Sequence, residues 1–226
     1  MVRRGGKRLL LLIGSPRKKG TSRSFALTFE ALAFDAGCTS EVEYAYDYFD
    51  GRRDLAALRE RIAEADMIGI FAPLYYDTLP GVVVWLFEQL ERVARPALLG
   101  KGLFAVGQCS YPFAALNEPL LASCRCFAAA TDMAWLGGLG YGGGVLIDGA
   151  PLEQLGTKGE KITYAFQLAI ADLLVGQPIS RRSQDVLMVR IPRLLYWPLA
   201  WLMNLRISLE ARRQGVPDLE RQVYLE

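Results

Sequence analysis

Short apolar runs of strand length alternate with stretches of helical periodicity along most of this chain, and no other feature narrows the fold as much. Parallel strands cannot be joined by tight hairpins, so each needs a crossover, usually a helix. Repeated strand-helix order therefore predicts a parallel sheet covered on both faces. Leu9 to Ile13 is an apolar run that stops at Gly14-Ser15-Pro16, as a central strand does. Phe25, Phe29, Leu32 and Ala33 then fall on one helical face. Val42, Tyr44 and Tyr46 alternate with Glu41, Glu43 and Ala45, which predicts a half-exposed second strand near a sheet edge. A short helix with Leu55, Leu58 and Ile62 on one side leads to a third strand, Met67 to Phe71.

Pro80-Gly81 opens a helix whose buried stripe is Val83, Leu86, Phe87, Leu90 and Ala94; proline suits a first helical turn, where its missing N–H costs nothing. A fourth strand at Leu103 to Val106, a helix over 114–130 and a fifth strand within 133–147 follow, the last interrupted by glycines. Ile162, Ala165, Phe166, Ala169 and Leu173 mark a closing amphipathic helix. Five strands and their helices fill residues 7–175, the size of one doubly wound α/β domain. The expected division is a domain over 1–176 and a C-terminal extension over 177–226.

The chain has 226 residues and a formal net charge of +2, with no histidine. That absence excludes Ser-His-Asp and Cys-His nucleophiles, His-ligated zinc and imidazole acid-base catalysis. Four cysteines without C-x-x-C spacing predict a reduced, cytoplasmic compartment and no metal or cluster. Cys124 and Cys126 are expected to be two buried small residues of a helix. Residues 1–23 hold eight Lys/Arg and no acid, Arg3 and Arg4 among them. Nucleic acid is one reading of such a tract, but beside a glycine loop a single bound phosphate is the simpler one. The apolar run after Arg8 is too short for a secretory signal and meets Gly-Ser-Pro instead of a cleavage site.

Gly14-Ser15-Pro16-Arg17-Lys18-Lys19-Gly20-Thr21-Ser22 joins the first strand to the first helix. In an open parallel sheet, ligands lie beyond the carboxyl ends of the strands, and a helix start offers unpaired N–H groups to an anion. Hydroxyls at 15, 21 and 22 and the guanidinium at 17 suit a phosphate. A Walker A loop needs Gly-Lys-Ser/Thr, but here both lysines precede Gly20; G-x-G-x-x-G is absent too.

Leu-Leu-Ile-Gly-Ser-Pro-Arg-x-x-Gly-x-Ser resembles the FMN-phosphate loop of the flavodoxin-like NAD(P)H-dependent FMN reductase and quinone reductase superfamily. Ala65 to Tyr75, followed by Leu79-Pro80-Gly81 and Leu86-Phe87-Glu88, resembles that family's third strand, Pro-x-Tyr flavin loop and next helix. The resemblance covers roughly residues 8–175 and implies a flavodoxin-like five-stranded parallel sheet of order 2-1-3-4-5 with helices on both faces. It implies that Ser15, Arg17, Gly20, Thr21 and Ser22 hold the FMN phosphate. Pro73, Leu74, Tyr75 and Tyr76 would lie along the flavin ring with Asp77 in the same loop, and Gly107, Gln108, Cys109 and Ser110 would meet its pyrimidine edge. No side chain need be catalytic, since the flavin carries the chemistry. Relatives carry a lysine and an Asp-Arg pair where this chain has Val84, Glu88 and Gln89; the change implies different subunit packing or nucleotide preference and allows a low-affinity flavin site.

The implied activity passes hydride from NAD(P)H through FMN to a small-molecule acceptor: a quinone, a nitro or azo compound, or free flavin. A homodimer is implied as well. A flavodoxin-type electron carrier, or a flavodoxin-fold binding protein without flavin, remains the alternative. Gly137 to Gly144 is a ligand contact, a mobile flap or a loose connection. Residues 186–209 are apolar almost all round, but the uncharged core from Leu194 to Leu205 is too short to span a bilayer. That segment docks on its own domain, on a second subunit, or on a membrane surface.

Overall fold

In the computed structural model, residues 6–188 and 192–216 are described and form two separate compact units. Arg3, Arg4 and residues 189–191 of the apolar tail lie outside the described residues.

The first unit is built on five parallel strands: β1 (Arg8–Ile13), β2 (Thr39–Tyr44), β3 (Met67–Pro73), β4 (Gly102–Cys109) and β5 (Ala134–Gly142). Their order is β2-β1-β3-β4-β5, the doubly wound arrangement expected. β1 and β3 are buried almost throughout, which explains their unbroken apolar sequences. Side chains of β1 alternate between two cores. Leu10 and Leu12 join the core beneath α3 (Leu55–Glu64), α4 (Gly81–Leu98) and α5 (Glu118–Ala130). Leu9, Leu11 and Ile13 join the other, beneath α1 (Thr21–Asp35) and α6 (Thr157–Leu174). In that second core the Phe29 ring stacks on Phe104 and meets Phe71 and Phe166 edge-on, at centroid distances of 5.2, 5.5 and 5.6 Å.

Three local expectations are corrected. β2 ends at Tyr44, the partner of the last residue of β1, and the chain turns at once into a short helix, α2 (Ala45–Phe49); Tyr46 is therefore helical. Glu43 does not face water. It is 3% exposed, held by the guanidiniums of Arg53 and Arg61, so an edge strand buries a carboxylate between two cations. Cys124 is buried but Cys126 is exposed, because residues two apart in α5 point to different faces.

The glycines of β5 answer to packing. A Cβ at Gly138 would lie 2.6 Å from Leu121 Cδ2, and one at Gly140 would lie 2.7 Å from the Ala114 carbonyl oxygen. Only bare backbone lets α5 and the turn before it sit that close to the strand. The register against β4 slips by one residue beyond Leu103, where Gly137 takes φ +88°.

The first unit runs past the 176/177 boundary. The Ile179 N–H donates to the Leu136 carbonyl (2.8 Å), and the carboxamide of Gln184, in α7 (Arg181–Leu187), pairs twice with the Gly140 backbone (2.7 and 2.9 Å). These bonds occupy the open edge of β5, an edge that would otherwise recruit another strand. The second unit contains α8 (Tyr196–Arg213).

Candidate functional site

The parallel register brings the carboxyl ends of β1, β3, β4 and β5 together: Ile13 pairs with Phe71, Pro73 with Gln108, and Cys109 with Gly142. A cleft opens there, lined by Ser15, Arg17, Gly20, Thr21, Pro73, Leu74, Tyr75, Gln108, Cys109 and Ser110, joined by Gly144, Val145 and Asp148. Ten of the residues expected from sequence thus share one cleft.

The loop after β1 is fixed at its start by the Gly14 N–H donating to the Phe71 carbonyl (2.9 Å). Ser15 is buried, and its oxygen accepts from the Arg17 N–H (3.2 Å), leaving its own proton free to donate. Gly20 caps α1 without any side-chain acceptor, so the N–H groups of the first turn stay open. Thr21 donates its hydroxyl to the Gly144 carbonyl (2.7 Å), a structural tie that leaves only its backbone N–H for an anion. Ser22 is 2% exposed, and its buried Oγ has no hydrogen-bond partner. A buried hydroxyl left orphaned in the first turn of a helix is costly unless something meets it. Arg17 extends over the cleft, its Nη2 2.8 Å from Asp148 Oδ1.

The second loop is a strained turn. Tyr75 and Thr78 exchange backbone hydrogen bonds (3.0 and 3.1 Å), and the two residues between them, Tyr76 and Asp77, take φ +47° and +58°. Asn-Gly is the usual occupant of such a turn, so an aromatic residue there carries a backbone cost. The turn leaves Tyr75 on the rim of the cleft and Tyr76 fully exposed at the tip, with Asp77 beside it. Neither Tyr76, Asp77, Ser22 nor Gly107 lines the cleft wall; Gly107 lies inside β4 against the Asn117 side chain.

The third loop is organised by a residue that the sequence did not flag. Asn117 is fully buried, and its Nδ2 donates to the carbonyls of Ala114 (3.1 Å) and Tyr141 (3.2 Å) and approaches Cys109 Sγ (3.6 Å). One amide thereby ties the end of β4 to the end of β5. Its sequence signal, an Asn just before Glu118-Pro119, suggests a helix cap; the side chain makes no capping bond. The Cys109 thiol donates to the Tyr111 carbonyl (3.3 Å), and burial pushes its pKa up, so it stays a neutral thiol. Gly144 belongs to the glycine-rich stretch noted in the sequence; Val145 and Asp148 carried no signal there.

The groups present fit flavin mononucleotide: open N–H groups, the Ser15 hydroxyl and the Arg17 guanidinium at one end, aromatic and proline surface at the other.

Residues 7–120 match the model of the family described as NADPH-dependent FMN reductase. No curated protein matches the chain. Among solved structures, the fold is similar to an NAD(P)H:quinone oxidoreductase from Methanothermobacter marburgensis (17% identity, TM-score 0.51, covering 75% of this chain and 96% of that one). It is also similar to general stress protein 14 of Treponema denticola, solved in complex with FMN (14%, 0.51, 75% and 97%). The Trp repressor binding protein of Bacillus subtilis is a third (15%, 0.52, 70% and 95%).

Proposed function

The chain belongs to the NADPH-dependent FMN reductase family, and from that premise we propose that it carries reducing equivalents from NAD(P)H through FMN to a quinone, a nitro or azo compound, or free flavin. The observation that carries the site assignment is the one cleft, at the carboxyl ends of the strands, that gathers Ser15, Arg17, Gly20 and Thr21 with Pro73, Tyr75 and Gln108.

When bound, FMN supplies the hydride chemistry. The protein binds and orients. Ser15, the Arg17 guanidinium and the N–H groups of Gly20 and Thr21 hold the phosphate, while the Ser22 hydroxyl lies buried behind the cleft wall. Pro73, Leu74 and Tyr75 present the surface for the ring, with Tyr76 at the exposed tip of the same turn, and the backbone at Gln108, Cys109 and Ser110 offers donors to its polar edge. A neutral Cys109 keeps negative charge away from that edge. Asn117 fixes the loop that bears those donors.

The protein purified with added riboflavin is expected to show a flavin spectrum that NADPH or NADH bleaches anaerobically without a partner reductase. A spectrum that bleaches only with a partner reductase would identify an electron carrier instead. Arg17→Ala should weaken FMN binding by about 1 kcal/mol, the low end for a charged hydrogen bond because Arg17 is solvent-exposed; unchanged affinity by titration refutes its role.

We further place the protein in the cytoplasm, since its four cysteines are all unpaired. A homodimer is proposed from the exposed Phe49 and Val84 around α4, and a monomer mass at micromolar concentration would refute it. No helix among the described residues is long and apolar enough to cross a membrane. α8 exposes Trp197 and Trp201 beside Leu202, Leu205 and Leu209, and holds Arg206, Arg212 and Arg213 against a single acid, Glu210. That balance fits an anionic bilayer surface better than a protein groove. Co-sedimentation with phosphatidylglycerol vesicles, lost in Trp197→Ser/Trp201→Ser, tests this.

A further inference from the structure

The phosphate loop carries its own anion. Asp148 Oδ1 stands 2.8 Å from Arg17 Nη2 and lines the same cleft as Ser15, Gly20 and Thr21. The backbone segment bearing Asp148 is pinned to the loop on both sides. Upstream, Thr21 donates to the Gly144 carbonyl (2.7 Å). Downstream, Ser24 Oγ donates to the Ala150 carbonyl (2.6 Å). Between them, Gly149 (φ +80°) passes so near that a Cβ there would lie 2.8 Å from the Lys19 carbonyl oxygen. Asp148 itself takes φ +44°, a left-handed conformation that a non-glycine residue adopts at a cost. The backbone is thus held where its carboxylate reaches the one arginine of the loop.

Both partners are 63% exposed, so this ion pair adds little to the stability of the fold. Its consequence is electrostatic and local. Lys18 is also matched, at 3.9 Å from Asp47, so two of the loop's three cations already face carboxylates. A phosphate monoester, near two negative charges at neutral pH, must take Arg17 from Asp148 or share it against a like charge.

We propose that Asp148 is a built-in counter-anion of the phosphate loop: it occupies Arg17 when no phosphate is bound and weakens the hold on phosphate when one is, so that FMN exchanges instead of staying resident. Asp148 is a positioning residue acting through Arg17. The inference rests on the FMN reading of the cleft and deepens it toward a flavin that enters and leaves.

Asp148→Asn removes the charge and keeps an oxygen for Arg17, and asparagine tolerates a left-handed backbone, so the variant keeps its turn. Flavin fluorescence titrations of wild type and variant, with FMN and with riboflavin at low salt, provide the test. The expected result is FMN binding about five- to tenfold tighter in the variant, a slower FMN off-rate, and unchanged riboflavin binding. Weaker binding of both flavins would make Asp148 merely structural and overturn the proposal. Weaker FMN with riboflavin unchanged would make it a support for phosphate binding and overturn it too. If wild type binds FMN and the variant binds it equally, only this proposal fails; if wild type binds neither flavin, the FMN reading fails and takes the proposal with it.

Discussion

Asn117→Ala is the perturbation that best separates a packed core residue from one that shapes the site. The wild-type amide donates to the part-buried Ala114 carbonyl at 3.1 Å and the buried Tyr141 carbonyl at 3.2 Å, and approaches the Cys109 sulfur at 3.6 Å. Removing it strands the buried Tyr141 acceptor, at about 1–3 kcal/mol, and takes a bond from the part-buried Ala114 carbonyl, at about 1 kcal/mol. Part of that returns, because Asn117 Oδ1 is already buried without a partner and its penalty vanishes with it. The net expectation is a loss of about 2–3 kcal/mol. For a chain of this length that lowers Tm by about 5–10 °C. Asn117→Leu fills the space but restores no donor, so it should lose about as much; recovery in the leucine variant would assign the effect to a cavity instead. Because the Cys109 and Tyr141 contacts of this amide together tie the end of β4 to the end of β5, FMN affinity measured well below Tm should fall about tenfold. A Tm within 2 °C of wild type, or lost stability with unaltered FMN affinity, refutes the role assigned to this amide.

Three further outcomes follow from the same structure. Tyr76→Gly should raise stability to denaturant by about 0.5–1 kcal/mol while weakening flavin binding, since the ring makes no buried contact and its left-handed backbone is strained; lower stability would show that the turn is not under strain. Glu43→Gln leaves Arg53 and Arg61 facing each other without their shared carboxylate and should cost about 2 kcal/mol, less than a fully buried pair because the guanidiniums still touch water; a neutral result by urea denaturation would contradict this. Native thiol titration at pH 8 should find one fast cysteine, abolished in Cys126→Ser, because Cys38, Cys109 and Cys124 are buried and burial pushes the Cys124 thiol up to about 12.

The sequence alone determined the order of strands and helices, the parallel sheet, its two-sided core and the loops that make the cleft. Those features are local or periodic: an apolar run that stops at Gly14-Ser15-Pro16, a stripe such as Val83, Leu86, Phe87 and Leu90, a loop of hydroxyls and one arginine before a helix. A repeated period reports which face is buried, and a parallel sheet places the ends of its strands together whatever the side chains between them. Tertiary structure decided everything that depends on partners far apart in the chain. Glu43 reads as a half-exposed edge residue until Arg53 and Arg61 close over it, and β5 reads as a strand interrupted by unexplained glycines until α5 is seen packed against its bare backbone. Asn117 carries only the signal of a helix cap and Asp148 carries none; the first matters because of Tyr141, the second because of Arg17, 131 residues away. Periodicity records burial along one element, whereas a hydrogen bond or an ion pair records the meeting of two, and only the folded chain fixes which two meet.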